Sequence, residues 1–305
     1  ADLESTLTEL REVAAKHDAT LMSSGTHPFA LADDQHVSPN PRYHDLIDQM
    51  QWAARRLLIC GTHFHVGLRS GEQAIAVFNE LLRHLPLFLI GSSSSPYLES
   101  IDTGLASSRS KIFESLPTAG LPPNVNDWAD FEDFMATLLE AHCITSVREV
   151  WWDIRPHPDF GTVELRMCDA APTLRETTAL AALAQAVVAH SAERFDRGDL
   201  EPVPRDWTIR ENRWLAARYG VDAELFVDDR GRRRPASELL ADLIETVRPT
   251  AVRIGSEAEL DDLVELWNIG PGYARQRRIV DAGGSLRDVV EALVGELESD
   301  QPTIA

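Results

Sequence analysis

The chain has 305 residues, 44% of them hydrophobic, and a formal net charge of −20 from 49 acidic against 29 basic side chains. That length and apolar content allow one large domain or two small ones with a sizeable core. The acidity excludes broad contact with nucleic acid or an anionic membrane, either of which needs a basic surface. Any anionic ligand must then be met by a local reversal of the field, for which Arg109, Lys111, Arg155 and Arg166 are the candidates. Cys60, Cys143 and Cys168 are too few and too scattered for a disulfide framework, which points to a reducing, cytoplasmic setting. No apolar run reaches the roughly 18 residues that span a bilayer.

Residues 2–17 carry Leu3, Leu7, Leu10, Val13 and Ala14 at helical spacing and predict an amphipathic surface helix. A short strand is expected over residues 20–25, then a Pro/Asp-rich loop to Pro41 and a helix over residues 42–56. Leu57 to Leu68 reads as a strand with Gly61, His63, His65 and Gly67 on one face and Thr62, Phe64, Val66 and Leu68 on the other. The flanking glycines leave room for a ligand near the backbone. An apolar helix is expected over residues 73–90, and Gly91-Ser-Ser-Ser-Ser-Pro96 breaks it. Small residues around Thr103, Gly104 and Ser107 could offer amides and hydroxyls to an oxyanion, with Arg109 and Lys111 adding charge. Asp127 is placed to cap a helix running to about His142.

Glu149 to Cys168 reads as two strands joined by a turn at Pro156, Pro158, Asp159 and Gly161. Alternation puts Trp152 and Ile154 with Val163, Leu165 and Met167 on an apolar face. Trp151, Asp153 and Arg155 then share the other face with Thr162, Glu164, Arg166 and Cys168. Beyond Thr173 the pattern turns helical: residues 174–194, 206–219, 236–246, 257–266, 271–280 and 285–297 form a layer expected to cover one sheet face, with Arg210, Arg213 and Arg275 able to reach over it.

Two histidines, a glutamate and arginines on one sheet face allow three kinds of function. His63, His65 and Glu164 could hold a divalent cation while arginines hold the phosphates of ATP. The His-x-His strand could instead bind zinc and activate water for amide hydrolysis. Third, the face could be a non-catalytic pocket for an acidic small molecule. Neither Gly-x4-Gly-Lys-Ser/Thr nor Gly-x-Gly-x-x-Gly occurs, so an ATP site would have to be built on the sheet.

Five segments in register carry a resemblance: Cys60 to Gly67, Asp102 to Arg109, Trp151 to His157 with Gly161 to Arg166, Glu211 to Trp214, and Gly272 to Arg277. Together they resemble the bacterial carboxylate-amine ligases of the type 2 glutamate-cysteine ligase family, over nearly the whole chain. The resemblance implies one catalytic domain over residues 1–305 and a glutamine-synthetase-like α+β fold, with a curved, mainly antiparallel sheet and helices on its outer face. It also implies ATP and Mg²⁺, phosphorylation of a glutamate side-chain carboxylate, and attack on the acyl phosphate by the amine of cysteine, an activity that tends to be weak in this branch.

By motif position Glu164 and His63, with His65 beside them, resemble metal ligands. Arg166 resembles the residue that meets the γ-phosphate, and Arg155, Arg109 and Lys111 resemble substrate or phosphate contacts. The family opens with a Gly-Val-Glu-Glu-Glu-like strand that Ala1 to Gly25 does not match, so further metal-binding carboxylates are expected on a preceding segment. Tyr97 to Ile101 also departs from the family pattern, on the substrate side. An exposed sheet edge would suit a homodimer.

Overall fold

The computed structural model describes residues 2–303. In chain order the elements begin with α1 (Asp2–Lys16), α2 (Pro41–Met50), α3 (Trp52–Arg55), β1 (Phe64–Gly67), α4 (Gly71–Leu81) and α5 (Leu85–Ser92). Next come β2 (Tyr97–Leu98), β3 (Ile101–Asp102), α6 (Ser108–Phe113), α7 (Trp128–Glu140), β4 (Ile154–His157) and β5 (Thr162–Leu165). The last part holds α8 (Leu174–Arg197), α9 (Asp206–Tyr219), β6 (Glu224–Phe226), β7 (Arg233–Pro235), α10 (Ala236–Ile254), α11 (Glu257–Ile269), α12 (Gly272–Asp281) and α13 (Leu286–Ser299).

This is an α+β fold in which the described strands form three small antiparallel sheets: β1-β5-β4, β2-β3 and β6-β7. The first organises the molecule. Ile154, Val163, Leu165 and Phe64 point to one side, into an apolar cluster shared with Phe78 of α4 and with Leu183 and Val187 of α8. Trp152 closes that layer against Phe134, ring centroids 5.5 Å apart. Burying aromatic and β-branched side chains on one face is what fixes the strand register, since a slip of one residue would turn the whole set outward. The other face holds the charged residues.

Several expected elements change shape for identifiable reasons. Residues 20–25 form no strand; the chain makes only an isolated bridge, Thr26 to Ile59. The helix expected over 42–56 breaks at Gln51, whose φ is 48°. The one expected over 73–90 divides into α4 and α5, bent by 67°, because Pro86 cannot continue a helix but suits the start of one. No single helix among the described residues is long and apolar enough to cross a membrane. Conversely, α10 runs past residue 246 and through Pro249, since Val247, Thr250 and Ala251 are all buried and hold its last turns in place.

The helical layer is tied together by charge as well as by packing. Thr173 and Glu176 form a reciprocal capping box at the start of α8, and the same Glu176 carboxylate accepts from Arg275 of α12 at 2.8 Å. Arg275 donates on its other side to Glu296 of α13, also at 2.8 Å. Arg275 therefore serves the interior and does not reach over the sheet.

Candidate functional site

Strand pairing builds the site in rows. β5 lies between the other two strands, with His65 opposite Glu164 on one side and Arg155 opposite Glu164 on the other. One step along, Arg166 has His63 beside it, the guanidinium Nη1 3.5 Å from the imidazole Nδ1. Gly161, in the left-handed region with φ 63°, closes the turn that sets the hairpin register. The polar face thus carries a carboxylate ringed by two guanidinium groups and two imidazoles.

Glu164 is 2% exposed and is the centre of that ring. Its Oε2 accepts from Arg155 Nε at 2.7 Å and its Oε1 accepts from Arg166 Nη1. The same Oε1 lies 3.3 Å from His63 Nδ1 and 3.4 Å from His65 Nε2. Burial alone would raise the pKa of this carboxyl, but the hydrogen bond from His63 and the charges of Arg166 and Arg155 outweigh it and hold the group well below the usual carboxylate range. His63 is pushed down by burial and by Arg166 and Arg109, so it is neutral at physiological pH. His65 holds Thr162 Oγ1 at 3.0 Å.

The two arginines are not equivalent. Arg155 is the more engaged: besides the bond from Nε to Glu164, its Nη1 donates to the carbonyls of Val147 and Val150, both at 2.6 Å. Arg166 is bound through Nη1, while its buried Nε has no partner. With one carboxylate between two guanidiniums, this face has a local excess of positive charge inside a strongly acidic chain.

Further expected contacts fall elsewhere. Arg109 is buried beneath the sheet end, donating to the backbone carbonyls of Met167 at 3.0 Å and Arg166 at 3.3 Å. Ser107, from the segment read as an oxyanion cradle, does hold an oxyanion together with Ser94 and Ser95, but it is the chain's own Asp169. That carboxylate is fully buried and accepts from Ser95 Oγ at 2.7 Å, Ser107 Oγ at 2.8 Å and Ser94 N at 3.0 Å. Lys111 pairs with Glu114 and lines a different cavity, beside His27 and Trp52. Neither Arg109 nor Lys111 is thus presented to the Glu164 face as a phosphate contact.

Cys168 does not join the polar face either. The regular strand ends at Leu165, and the thiol is buried in the apolar cluster, donating to Phe88 O at 3.8 Å, with burial pushing its pKa up to about 12. Asp153 pairs not with Arg155 but with Arg213 of α9, whose Nη2 is 3.2 Å from Asp153 Oδ1 and whose Nη1 reaches Glu114 at 2.7 Å. Of the three helical arginines expected over the sheet, Arg213 is the one that arrives. His157 was not singled out in the sequence, though it stands two residues from Arg155 on the same face. Its ring stacks on Phe160 at 4.4 Å and meets His65 edge-on at 5.6 Å.

A sequence model described as glutamate-cysteine ligase family 2 matches residues 1–292. The chain belongs to glutamate-cysteine ligase family 2. It is 49% identical over 305 residues to "Putative glutamate--cysteine ligase 2-1" of Frankia casuarinae, covering 100% of this chain and 80% of that one. It is 46% identical over 303 residues to "Putative glutamate--cysteine ligase 2" of Thermobifida fusca, covering 99% and 76%. A relative from Bdellovibrio bacteriovorus is 41% identical over 292 residues, covering 96% and 77%. Every residue of the Glu164 cluster lies inside the family 2 match.

For this family 2 chain, the metal reading of His63, His65 and Glu164 meets a difficulty of donor chemistry. Among the described residues, no group of three or more His, Cys, Asp or Glu side chains is arranged to hold a metal ion. Glu164 brings the only negative charge between the two imidazoles, and arginines occupy both its oxygens. Magnesium asks for near-octahedral oxygen ligands, which these three side chains do not supply. They do not fit a resident Mg²⁺ as they stand.

Gly61 offers a test of how the face is supported. A Cβ there would overlap the Arg109 guanidinium, so Gly61→Ala should push Arg109 off the carbonyls that fix the end of β5. We expect a loss of about 1–3 kcal/mol, the usual cost of overpacking, read by urea denaturation. An unchanged midpoint would show that Arg109 does not brace the strand.

Proposed function

We propose that this chain is an ATP-dependent carboxylate-amine ligase on a glutamine-synthetase-like fold, joining glutamate to cysteine or a related amine through an acyl phosphate. The observation that carries the reading is Arg166: a guanidinium fixed through Nη1 to a buried glutamate, its Nε without a partner, on a face of positive excess. Planar donors of that kind grip a phosphoryl group bidentately. Family membership supports a ligase acting on small molecules.

In the first step a carboxylate oxygen of the substrate attacks the γ-phosphorus and ADP leaves. In the second, the amine nitrogen attacks the acyl carbon, phosphate departs with the carboxylate oxygen, and the amine proton is lost to solvent. Arg166 neutralises charge on the transferring group. Glu164 aims Arg166, and Arg155, bound at both ends, holds Glu164 in place and so is a positioning residue. ATP enters as its magnesium complex, and no step assigned to the protein depends on a resident ion.

The decisive experiment is product chemistry. Incubation with magnesium ATP, glutamate and a panel of amines should release ADP and phosphate only when the carboxylate substrate is present, with amide product when an amine is added. Zinc-stimulated hydrolysis of simple amides without ATP would overturn the reading in favour of a hydrolase. Ligand binding with no turnover of any amine would favour a non-catalytic pocket.

A further inference from the structure

A second cavity, of about 530 Å³, lies between α8, α9 and α10 with the α4–α5 bend as its floor. It is separated from the Glu164 face by the apolar layer in which Phe78, Val163 and Leu183 are buried. Part of its wall is aliphatic, from Leu87, Val187, Ile209 and Leu243, and part is polar, with Asp228, Asp229 and Asp242 paired to Arg232, Arg205 and Arg234. That volume lies in the range of small-molecule sites, which are largely apolar with a few convergent polar groups.

At one end of the cavity two more carboxylates meet two guanidiniums. Glu80 is 4% exposed; its Oε1 accepts from Arg194 at 3.0 Å, while Oε2 has no hydrogen-bond partner, Arg83 Nη2 being 3.4 Å away. Arg83 gives Nη1 to Glu201 at 2.6 Å and Nη2 to Pro202 O at 2.7 Å, and its buried Nε is likewise unpartnered. His84 and His190 also line this end, and burial and the neighbouring arginines keep both neutral, His84 being pushed down to about 3. Two carboxylates and two guanidiniums therefore balance, so a ligand with net charge of either sign gains little here. Glu80 Oε2, though ion-paired to Arg83, and Arg83 Nε are both buried without a hydrogen bond, an arrangement that costs free energy until a partner supplies the matching groups.

We propose that this cavity binds a zwitterionic α-amino acid with an apolar side chain. Its ammonium would be taken by Glu80, its carboxylate by Arg83 with the two imidazoles, and its side chain by the aliphatic wall. The site is separate from the ligase reading and does not depend on it.

The probes are L-leucine, N-acetyl-L-leucine, which lacks the ammonium, and L-leucinamide, which lacks the carboxylate, each titrated calorimetrically into the full chain. Leucine should bind at least tenfold more tightly than either blocked analogue. Glu80→Gln should abolish that preference, and Arg166→Lys, which keeps the charge beside Glu164, should leave it unchanged. In the wild-type chain, which needs no variant to fold, leucine should slow amide exchange over residues 198–212, where the loop and α9 border the cavity. Equal binding of all three probes, no binding of any, or loss of leucine binding in Arg166→Lys would overturn the proposal.

Discussion

Glu164→Gln is expected to abolish turnover and also to destabilise the fold by about 3–5 kcal/mol, the range seen when one partner of a buried ion pair is removed. Glutamine fills the same space, but it leaves Arg155 and Arg166, 4% and 7% exposed, without the charge that compensates them. The amide nitrogen would also face guanidinium donors where an acceptor is needed. The sign with pH follows from the depressed pKa of Glu164. Its stabilisation is complete above the ordinary carboxylate range and disappears only as pH falls through the lower value of the folded state. The gap between wild type and variant should therefore be widest near neutrality and close in strong acid. Denaturant melts across pH together with ADP release provide the check, and a variant with native stability and turnover would remove Glu164 from the centre of the site.

Arg166→Lys should lower kcat by roughly 10²–10³, the scale for losing one donor that meets developing charge, while KM for glutamate moves far less. Lysine retains a positive charge for Glu164 and loses the planar fork, so stability should fall much less than in Glu164→Gln. That contrast separates the two roles: one residue holds the arrangement, and the other acts through it. Steady-state kinetics with saturating magnesium ATP reads the effect. An unchanged kcat would place Arg166 outside the reaction centre, whatever happened to KM.

The core of this site was legible in the sequence because strand alternation is a strict rule. Once Ile154, Val163 and Leu165 are assigned to the apolar face, Arg155, Glu164 and Arg166 must share the other, and the same parity puts His63 and His65 together. What parity does not reveal is how far a long side chain is already engaged. Arg155 turns out to be tied to two carbonyls, and Arg109 lies under the sheet beside Asp169, because both outcomes depend on how α6 and the 147–150 turn dock.

Asp169 itself was invisible: nothing in a lone aspartate after Cys168 signals that serines 62 to 75 residues earlier in the chain will be gathered around it by the fold. The small hairpins were missed for a local reason. β2-β3 turns through Glu99 and Ser100, both at positive φ, where no glycine marks the bend. The helices were easier, since their periodicity extends over many residues, and their errors fall at Gln51 and around Pro86, where the chain changes direction, and past residue 246, where α10 continues through Pro249.

The recessed arginines also bear on how a charged substrate is captured. At long range a polyphosphate meets a body of net charge −20 and is repelled; at short range it meets guanidiniums held inside the sheet face. Salt acts unequally on the two. With a Debye length of about 8 Å at physiological ionic strength, the distant repulsion is screened while the buried contacts are affected much less. Association should therefore quicken with added salt, opposite to an enzyme that steers its ligand electrostatically. Such a site draws its selectivity from what happens after arrival.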